Sequence, residues 1–339
     1  MNVLIVKLSA IGDVIHALPV SRAIKQTFPE SRITWIVERP ASDLLTENPD
    51  IDELIIFEKA KFKTVRGFLH NLPVLHSELR SKDFDIVLDL QGLAKSAIVA
   101  WISGARKRLG YCNMRELSGL ISPPVCGLHQ YGHVVERYLD VARALGCQIK
   151  HPEWVINPSV EDKATVNRIF QAEGLSLQDK YIVIAPGTNW QSKCWPTRSY
   201  AELVLLVQKN LRLPIVVVGA AKDKELVNKI RAESGVQVHD LTGQTTLKQL
   251  AFTLQKAMLF VGGDTGPMHL AVAMGCPVIA LFGPTDHVRN GPYGNENILL
   301  RAGVECAPCF KKSCPDVHCM RKISPQEVYQ AVLKITSCS

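Results

Sequence analysis

Nowhere in this chain of 339 residues do about 18 or more apolar residues run together, so no segment has the length that a helical membrane span requires. The apolar stretch at the N-terminus meets Lys7 too early to form the apolar region of a secretory signal. A cytoplasmic location is expected. Also missing is G-x-G-x-x-G, the glycine pattern that seats a dinucleotide pyrophosphate, which weighs against a nicotinamide oxidoreductase. No RNA-binding or helix-turn-helix signature occurs, and no nucleic-acid partner is expected. Neither sign of charge dominates: Lys and Arg exceed Asp and Glu by only 7, a modest bias toward acidic partners. Part of that excess lies in KAKFKTVR (59–66) and GARKRLGY (104–111), which read equally as solvated loops and as anion-facing patches.

Cysteine, by contrast, is plentiful, with ten in the chain. In a cytoplasmic protein they stay mostly reduced, so no pairing is assumed. Cys306, Cys309, Cys314 and Cys319 form C-x2-C-x4-C-x4-C. That spacing is compatible with tetrahedral zinc, although zinc ribbons normally set their two pairs further apart. The plainer alternative is a cysteine-rich loop whose thiols only pack locally.

Apolar, β-branched runs alternate with helical spacing along the chain: 2–8, 32–38, 53–57, 85–90, 181–186, 214–219, 259–264 and 277–283 read as strands. Their unbroken hydrophobicity suits strands buried on both faces of parallel sheets. The segments between them, such as 17–28, 199–211 and 247–258, have helical periodicity, so the fold class is α/β with right-handed crossovers. The pattern breaks once, over the polar, proline-containing stretch 152–180. A domain junction is therefore placed near residue 155, giving a first domain 1–155 and a second from 156. Two such domains facing one another would place a ligand in a cleft between their strand ends.

Ligands of α/β sheets gather where strands end, and Asp13 stands just after the first strand, in the turn that carries Ser9 and Gly12. A carboxylate there suits a general base that takes a proton from an attacking hydroxyl. It also suits an N-cap for a helix beginning at Val14. The same domain offers Gln91, Lys95 and Ser96 after a strand, with Arg115 and Arg137 further on, as groups able to receive an acidic substrate. In the second domain three strand ends run into small turns. The first holds Gly187, Thr188, Asn189 and Lys193; the second holds Asp264, Thr265, Gly266 and Pro267, opening a helix that carries His269; the third holds Gly283, Thr285 and Asp286. Free amides at a helix start, with a cation nearby, suit a diphosphate. Each turn alone also reads as ordinary capping chemistry.

Taken together, KLSAIGDVIHALP (7–19), DLQGLAKS (89–96), PGTNWQSKCWP (186–196), GGDTGPMHLA (262–271) and GPTD (283–286) resemble the ADP-heptose:lipopolysaccharide heptosyltransferases, family 9 of the glycosyltransferases. The likeness runs in order over nearly the whole chain. It implies a GT-B fold of two Rossmann-like domains, acceptor on the first and nucleotide sugar on the second, 156–322, with a last segment 323–339 returning to the first. The implied reaction moves L-glycero-D-manno-heptose from ADP-heptose to Kdo of the lipid A inner core, with inversion; a later core acceptor is the alternative. In that scheme Asp13 is the base, and Lys193 with the amides around Thr265 and Gly266 stabilises the departing ADP without a catalytic metal or other cofactor. Thr188, Asn189, Asp264, Pro267 and His269 border the donor, and Leu241, Thr242 and Gly243 lie beside the adenine. Ser9, Gly12, Gln91, Lys95, Arg115 and Arg137 face the acceptor. A lipid-borne acceptor implies peripheral contact with the inner membrane leaflet. Family members often carry a glutamate after the glycine matching Gly219, where it would hold the ribose. This chain reads GAAKDKE (219–225), so either Asp223 or Glu225 reaches in instead or the ribose is held differently. Two other readings remain: an oxidoreductase on the same architecture, and a zinc-stabilised anion-binding module. The first lacks its glycine fingerprint, and the second leaves Asp13 and the three turns unexplained.

Overall fold

Parallel strands need both faces covered, and the apolar runs become two fully parallel six-stranded sheets. The computed structural model describes residues 1–337. Its first sheet contains β1 (Asn2–Val6), β2 (Arg32–Val37), β3 (Glu53–Ile56), β4 (Ile86–Asp89), β5 (Lys107–Tyr111) and β6 (Pro124–Val125), in the order β3-β2-β1-β4-β5-β6. The second contains β7 (Ile182–Ala185), β8 (Ile215–Val217), β9 (His239–Asp240), β10 (Leu259–Gly263), β11 (Val278–Phe282) and β12 (Ile298–Arg301), in the order β12-β11-β10-β7-β8-β9. Both are doubly wound, so strand order reverses between β1 and β4 in one and between β7 and β10 in the other. Crevices at such switch points are where this architecture binds ligands.

Side chains alternate across the first sheet. Leu4 and Val6 point into a core shared with Leu75 and Leu79 of the Val65–Arg80 helix and Val99 and Ile102 of the Ala94–Ile102 helix. The helices Ile11–Thr27 and Val134–Arg143 pack against each other. Pro19 sits inside the first of these and has no amide to donate to the carbonyl of Ile15, four residues back. The indole Nε1 of Trp154 donates to that carbonyl instead, at 3.0 Å. The end of the first unit is thereby tied to its longest helix.

The chain divides between Asn157 and Pro158, two residues beyond the expected junction. Ser159 opens the second unit's first helix by exchanging hydrogen bonds with Asp162, at 3.0 and 2.9 Å. Two expectations are corrected here. GARKRLGY, taken as a patch or solvated loop, supplies strand β5, whose Leu109 and Gly110 pair with Leu88 and Asp89. The last helix, Pro325–Thr336, was expected to return to the first domain; it packs on the Thr197–Asn210 helix, and Val328, Tyr329, Ala331 and Val332 are buried in the second core. Its apolar face is already committed there. Residues 338 and 339 of the proposed closing segment lie outside the described residues.

Candidate functional sites at two switch points

In the first unit, the turn after β1 and the turn after β4 are joined by one side chain. The carbonyl oxygen of Gln91 accepts hydrogen bonds from the amides of Leu8 and Ser9, both at 3.0 Å. Beneath it, buried Asp89 accepts from the amides of Gln91 (3.1 Å) and Gly92 (2.9 Å), while burial pushes its carboxyl up. The buried ammonium of Lys7 donates to the carbonyl of Leu90 (3.0 Å) and to the Tyr138 hydroxyl (2.8 Å), fastening the ends of β1 and β4 to the Val134–Arg143 helix. Lys7 thus frames this turn from below.

On that frame the helix starts at Ile11, with Ala10 as its N-cap. Asp13 is therefore not the cap residue expected before a helix at Val14. It stands in the first turn, half-buried beside Gly12, and accepts from the Ala10 amide at 3.2 Å. One carboxylate thus anchors the helix start while remaining partly open to solvent.

The expected acceptor groups are unequal. Gln91 is used to shape the Asp13 turn, so its carbonyl is not free for a substrate. Lys95 pairs with Glu38, at the end of β2, at 2.8 Å. Glu38 went unnoticed in the sequence because nothing local links it to Lys95. The Arg115 amide donates to the carbonyl of Gly92 at 2.9 Å, which places the residue beside the β4 turn with its side chain exposed. Arg137 lies on the helix capped by His133, whose ring meets His16 edge-on at 5.5 Å; its Nε donates to the Gly132 carbonyl at 2.9 Å. The cysteine expectation also changes. Cys112 and Cys126 form a disulfide that ties the end of β5 to β6.

In the second unit the turns after β7 and β10 meet in an ion-paired cluster. The ammonium of Lys193 lies 2.7 Å from the Asp264 carboxylate, 3.2 Å from the Asp264 carbonyl and 4.5 Å from the centre of the Trp190 ring. The other carboxylate oxygen of Asp264 faces His269 Nε2 at 3.3 Å. Burial alone would push the Asp264 carboxyl up, but the His269 ring and the Lys193 ammonium outweigh it and hold it well below the usual carboxylate range. A buried carboxylate needs such partners, because desolvating an ion costs several kcal/mol. Immediately after it, the helix Gly266–Ala273 starts with Thr265 as N-cap, and no side chain caps it. The Thr265 hydroxyl turns back to the Gly263 carbonyl at 3.3 Å, and Pro267 brings no amide. An uncapped helix start beside a lysine is suited to an anion.

Other donor-side expectations need correction at the level of atoms. The Thr188 hydroxyl donates to the Trp190 carbonyl at 2.6 Å, so it shapes the Lys193 loop; Asn189 is exposed beside it. Leu241 is fully buried, and the Thr242 hydroxyl donates to Asp240 at 2.5 Å, leaving only backbone and Gly243 to face a base. Gly243 adopts φ +70, and a Cβ there would meet Ala221 at 2.8 Å. In the third turn the Asp286 carboxylate caps the amides of Val288 (2.9 Å) and Arg289 (3.4 Å), so it is committed to its own helix. Of the two ribose candidates, Asp223 reaches inward: its carboxylate accepts from Ala220 at 2.8 Å and fills the space where a Cβ on Gly187 would meet it at 2.3 Å. Glu225 is exposed.

The cysteine-bearing loop serves the Lys193 turn. Ser192 donates through its hydroxyl to the Lys311 carbonyl at 2.5 Å and through its amide to the Lys312 carbonyl at 3.3 Å. Among the described residues, no three His, Cys, Asp or Glu side chains are arranged to hold a metal ion, and Cys306, Cys309, Cys314 and Cys319 are thiols. The zinc geometry suggested by their spacing is therefore not formed.

The profile of glycosyltransferase family 9 (heptosyltransferase) matches residues 74–319. The chain is 30% identical to lipopolysaccharide heptosyltransferase 1 of Pseudomonas aeruginosa, over 93% of this chain and 87% of that one. It is 27% identical to lipopolysaccharide heptosyltransferase 3 of Escherichia coli, over 85% and 84%. A solved structure of the E. coli heptosyltransferase WaaC with ADP superposes with a TM-score of 0.78, at 24% identity over 99% and 100% of the two chains, so the two doubly wound units have the GT-B fold. The chain belongs to glycosyltransferase family 9, the lipopolysaccharide heptosyltransferases.

Proposed function

We propose that this enzyme is heptosyltransferase I, which transfers L-glycero-D-manno-heptose from ADP-heptose to Kdo of the lipid A inner core at the cytoplasmic face of the inner membrane. The observation that carries the donor half is the Lys193–Asp264–His269 cluster beside an uncapped helix start. The diphosphate lies against the amide of Gly266 and the ammonium of Lys193, which exchanges part of its pairing with Asp264 for the phosphate. Asp264 and His269 border the sugar, Gly243 lies beside the adenine, and the buried Asp223 carboxylate is the group placed for the ribose. In the first unit Asp13 takes the proton of the attacking Kdo hydroxyl. The new oxygen–carbon bond forms at the anomeric carbon as the bond to ADP breaks, inverting it, and the charge arriving on ADP is met by Lys193. Stabilisation of developing charge by groups already in place is often the largest catalytic contribution. Arg115 and Arg137 receive the acidic acceptor; Lys95 joins them only by loosening from Glu38.

The test is ADP release from ADP-heptose with Kdo-lipid A, with the same acceptor already bearing one heptose, and with none. Release that requires the unheptosylated acceptor supports heptosyltransferase I. Dependence on the monoheptosylated acceptor assigns the chain to heptosyltransferase II, and failure with both would overturn the acceptor assignment.

A further inference from the structure

We propose that the carboxyl-end rim of the first sheet is a docking surface for an anionic phospholipid bilayer; the proposal rests on the reading that the acceptor is lipid-borne. Single exposed apolar residues are ordinary, whereas grouped ones call for a partner. The segment between β5 and β6 holds Leu117 and Leu120, 81% and 82% exposed, and the segment after β6 holds Leu128 and Tyr131, 98% and 77% exposed. The Cys112–Cys126 disulfide closes the loop that carries the first two. On the other flank, after β3, Val65 and Leu69 are 78% and 66% exposed at the start of the Val65–Arg80 helix. The segment leading into that helix holds Lys59, Lys61, Lys63 and Arg66, all exposed; Lys61 pairs with Glu58 at 3.1 Å.

Topology fixes where these flanks stand. Both leave the sheet at strand carboxyl ends, as the Asp13 turn does. In the order β3-β2-β1-β4-β5-β6, β3 lies two strands from β1 on one side, and β5 and β6 lie two and three strands from it on the other, about 10 to 15 Å at the usual strand spacing of about 4.8 Å. The Asp13 turn therefore leaves the sheet between the strands that carry a basic–apolar flank and an apolar one. Leucine and tyrosine enter the headgroup boundary, and lysine and arginine meet lipid phosphates. That combination of charge and apolar contact selects an anionic bilayer over a second copy of a chain that is itself net positive.

The test is flotation of the full chain with vesicles of phosphatidylethanolamine and phosphatidylglycerol, and with vesicles of phosphatidylcholine alone. The wild type is expected to float with the anionic vesicles and to lose binding as salt rises. Lys59→Ser, Lys63→Ser and Arg66→Ser together should weaken partitioning on the order of 100-fold, at ~5-fold per charge near the surface. Leu117→Ser, Leu120→Ser and Leu128→Ser together should weaken it by about 10-fold or more, including the part that survives salt. Light scattering and ADP release with water-soluble Kdo, which has no acyl chains, accompany each variant. Equal flotation by wild type and variants, or leucine-dependent self-association without vesicle binding, overturns the docking surface. Vesicle binding that follows the expected order without any ADP release leaves docking standing and removes the transferase reading. Release with soluble Kdo but no flotation does the reverse.

Discussion

Asp13 and Gln91 divide the work of the first site, and their substitutions should fail differently. Asp13→Asn keeps an acceptor for the Ala10 amide and loses the base, so turnover should fall by about 100-fold or more while ADP-heptose binding stays within about twofold. Comparable loss of donor affinity, measured by calorimetry, would assign Asp13 to folding or binding. Lys193→Ala, in contrast, should weaken both donor binding and turnover, and an unchanged rate would remove it from the leaving-group role. Gln91→Ala strands the amides of Leu8 and Ser9. An unmet buried donor costs ~1–3 kcal/mol, so kcat should drop more than KM rises. Gln91→Glu keeps the acceptor, and recovery of kcat with it would mark Gln91 as a positioning residue; recovery of stability alone would mark it as structural. Asp264 adds a pH signature. Its folded pKa lies below its unfolded one, so the unfolded chain binds the extra proton first. The stabilisation is fully present above the ordinary carboxylate range near pH 4 and is lost as pH falls through the folded value. Acid unfolding of the second unit should shift to higher pH in Asp264→Asn, and an unchanged acid limb would show that the pairing contributes nothing. At this scale the sequence revealed residue types at strand ends but not their partners. Glu38, Asp223 and the Ser192–Lys311 tie depend on chain segments brought together only by folding.

Among the elements, the Ile11–Thr27 helix shows how a local defect is repaired from a distance. Proline in a helix interior costs roughly 3 kcal/mol through the missing donor and the clash with the preceding turn, and Trp154 removes part of that cost by meeting the Ile15 carbonyl. Trp154→Phe retains most of the packing but leaves that carbonyl unmet, so the first unit should lose ~1–3 kcal/mol, read from urea unfolding followed by a probe within residues 1–157. A loss shared with the second unit would deny the local role. Strand content was legible where both faces are buried, as in IVLD of β4 and VIALF of β11. It was not legible in β5, β6 and β9, which are short, edge-lying or polar, nor in β12, an edge strand whose apolar run is only three residues long. Asp286 looks like a phosphate-loop residue in sequence, but it is bound to its own helix amides.

For the molecule as a whole, the repeat of one winding order in two units explains why motif order alone could suggest the architecture, while the last helix was placed wrongly. A proline-opened amphipathic helix at 325–336 fits any open apolar face, and only folding shows that the face available is that of the Thr197–Asn210 helix. Each unit has its own core and its own closed set of strand pairings, so a ligand bound by one unit should stabilise that unit first. ADP at 100 times its Kd adds about 2.7 kcal/mol to whatever opens only when ADP leaves. Hydrogen exchange with saturating ADP should therefore slow by up to about 100-fold in 182–193 and 259–273, the segments that build the Lys193–Asp264 cluster, while the amides of Leu8, Ser9 and Ala10 exchange as before. Protection centred on the Asp13 turn instead would move the nucleotide to the first unit and reverse the assignment of donor and acceptor.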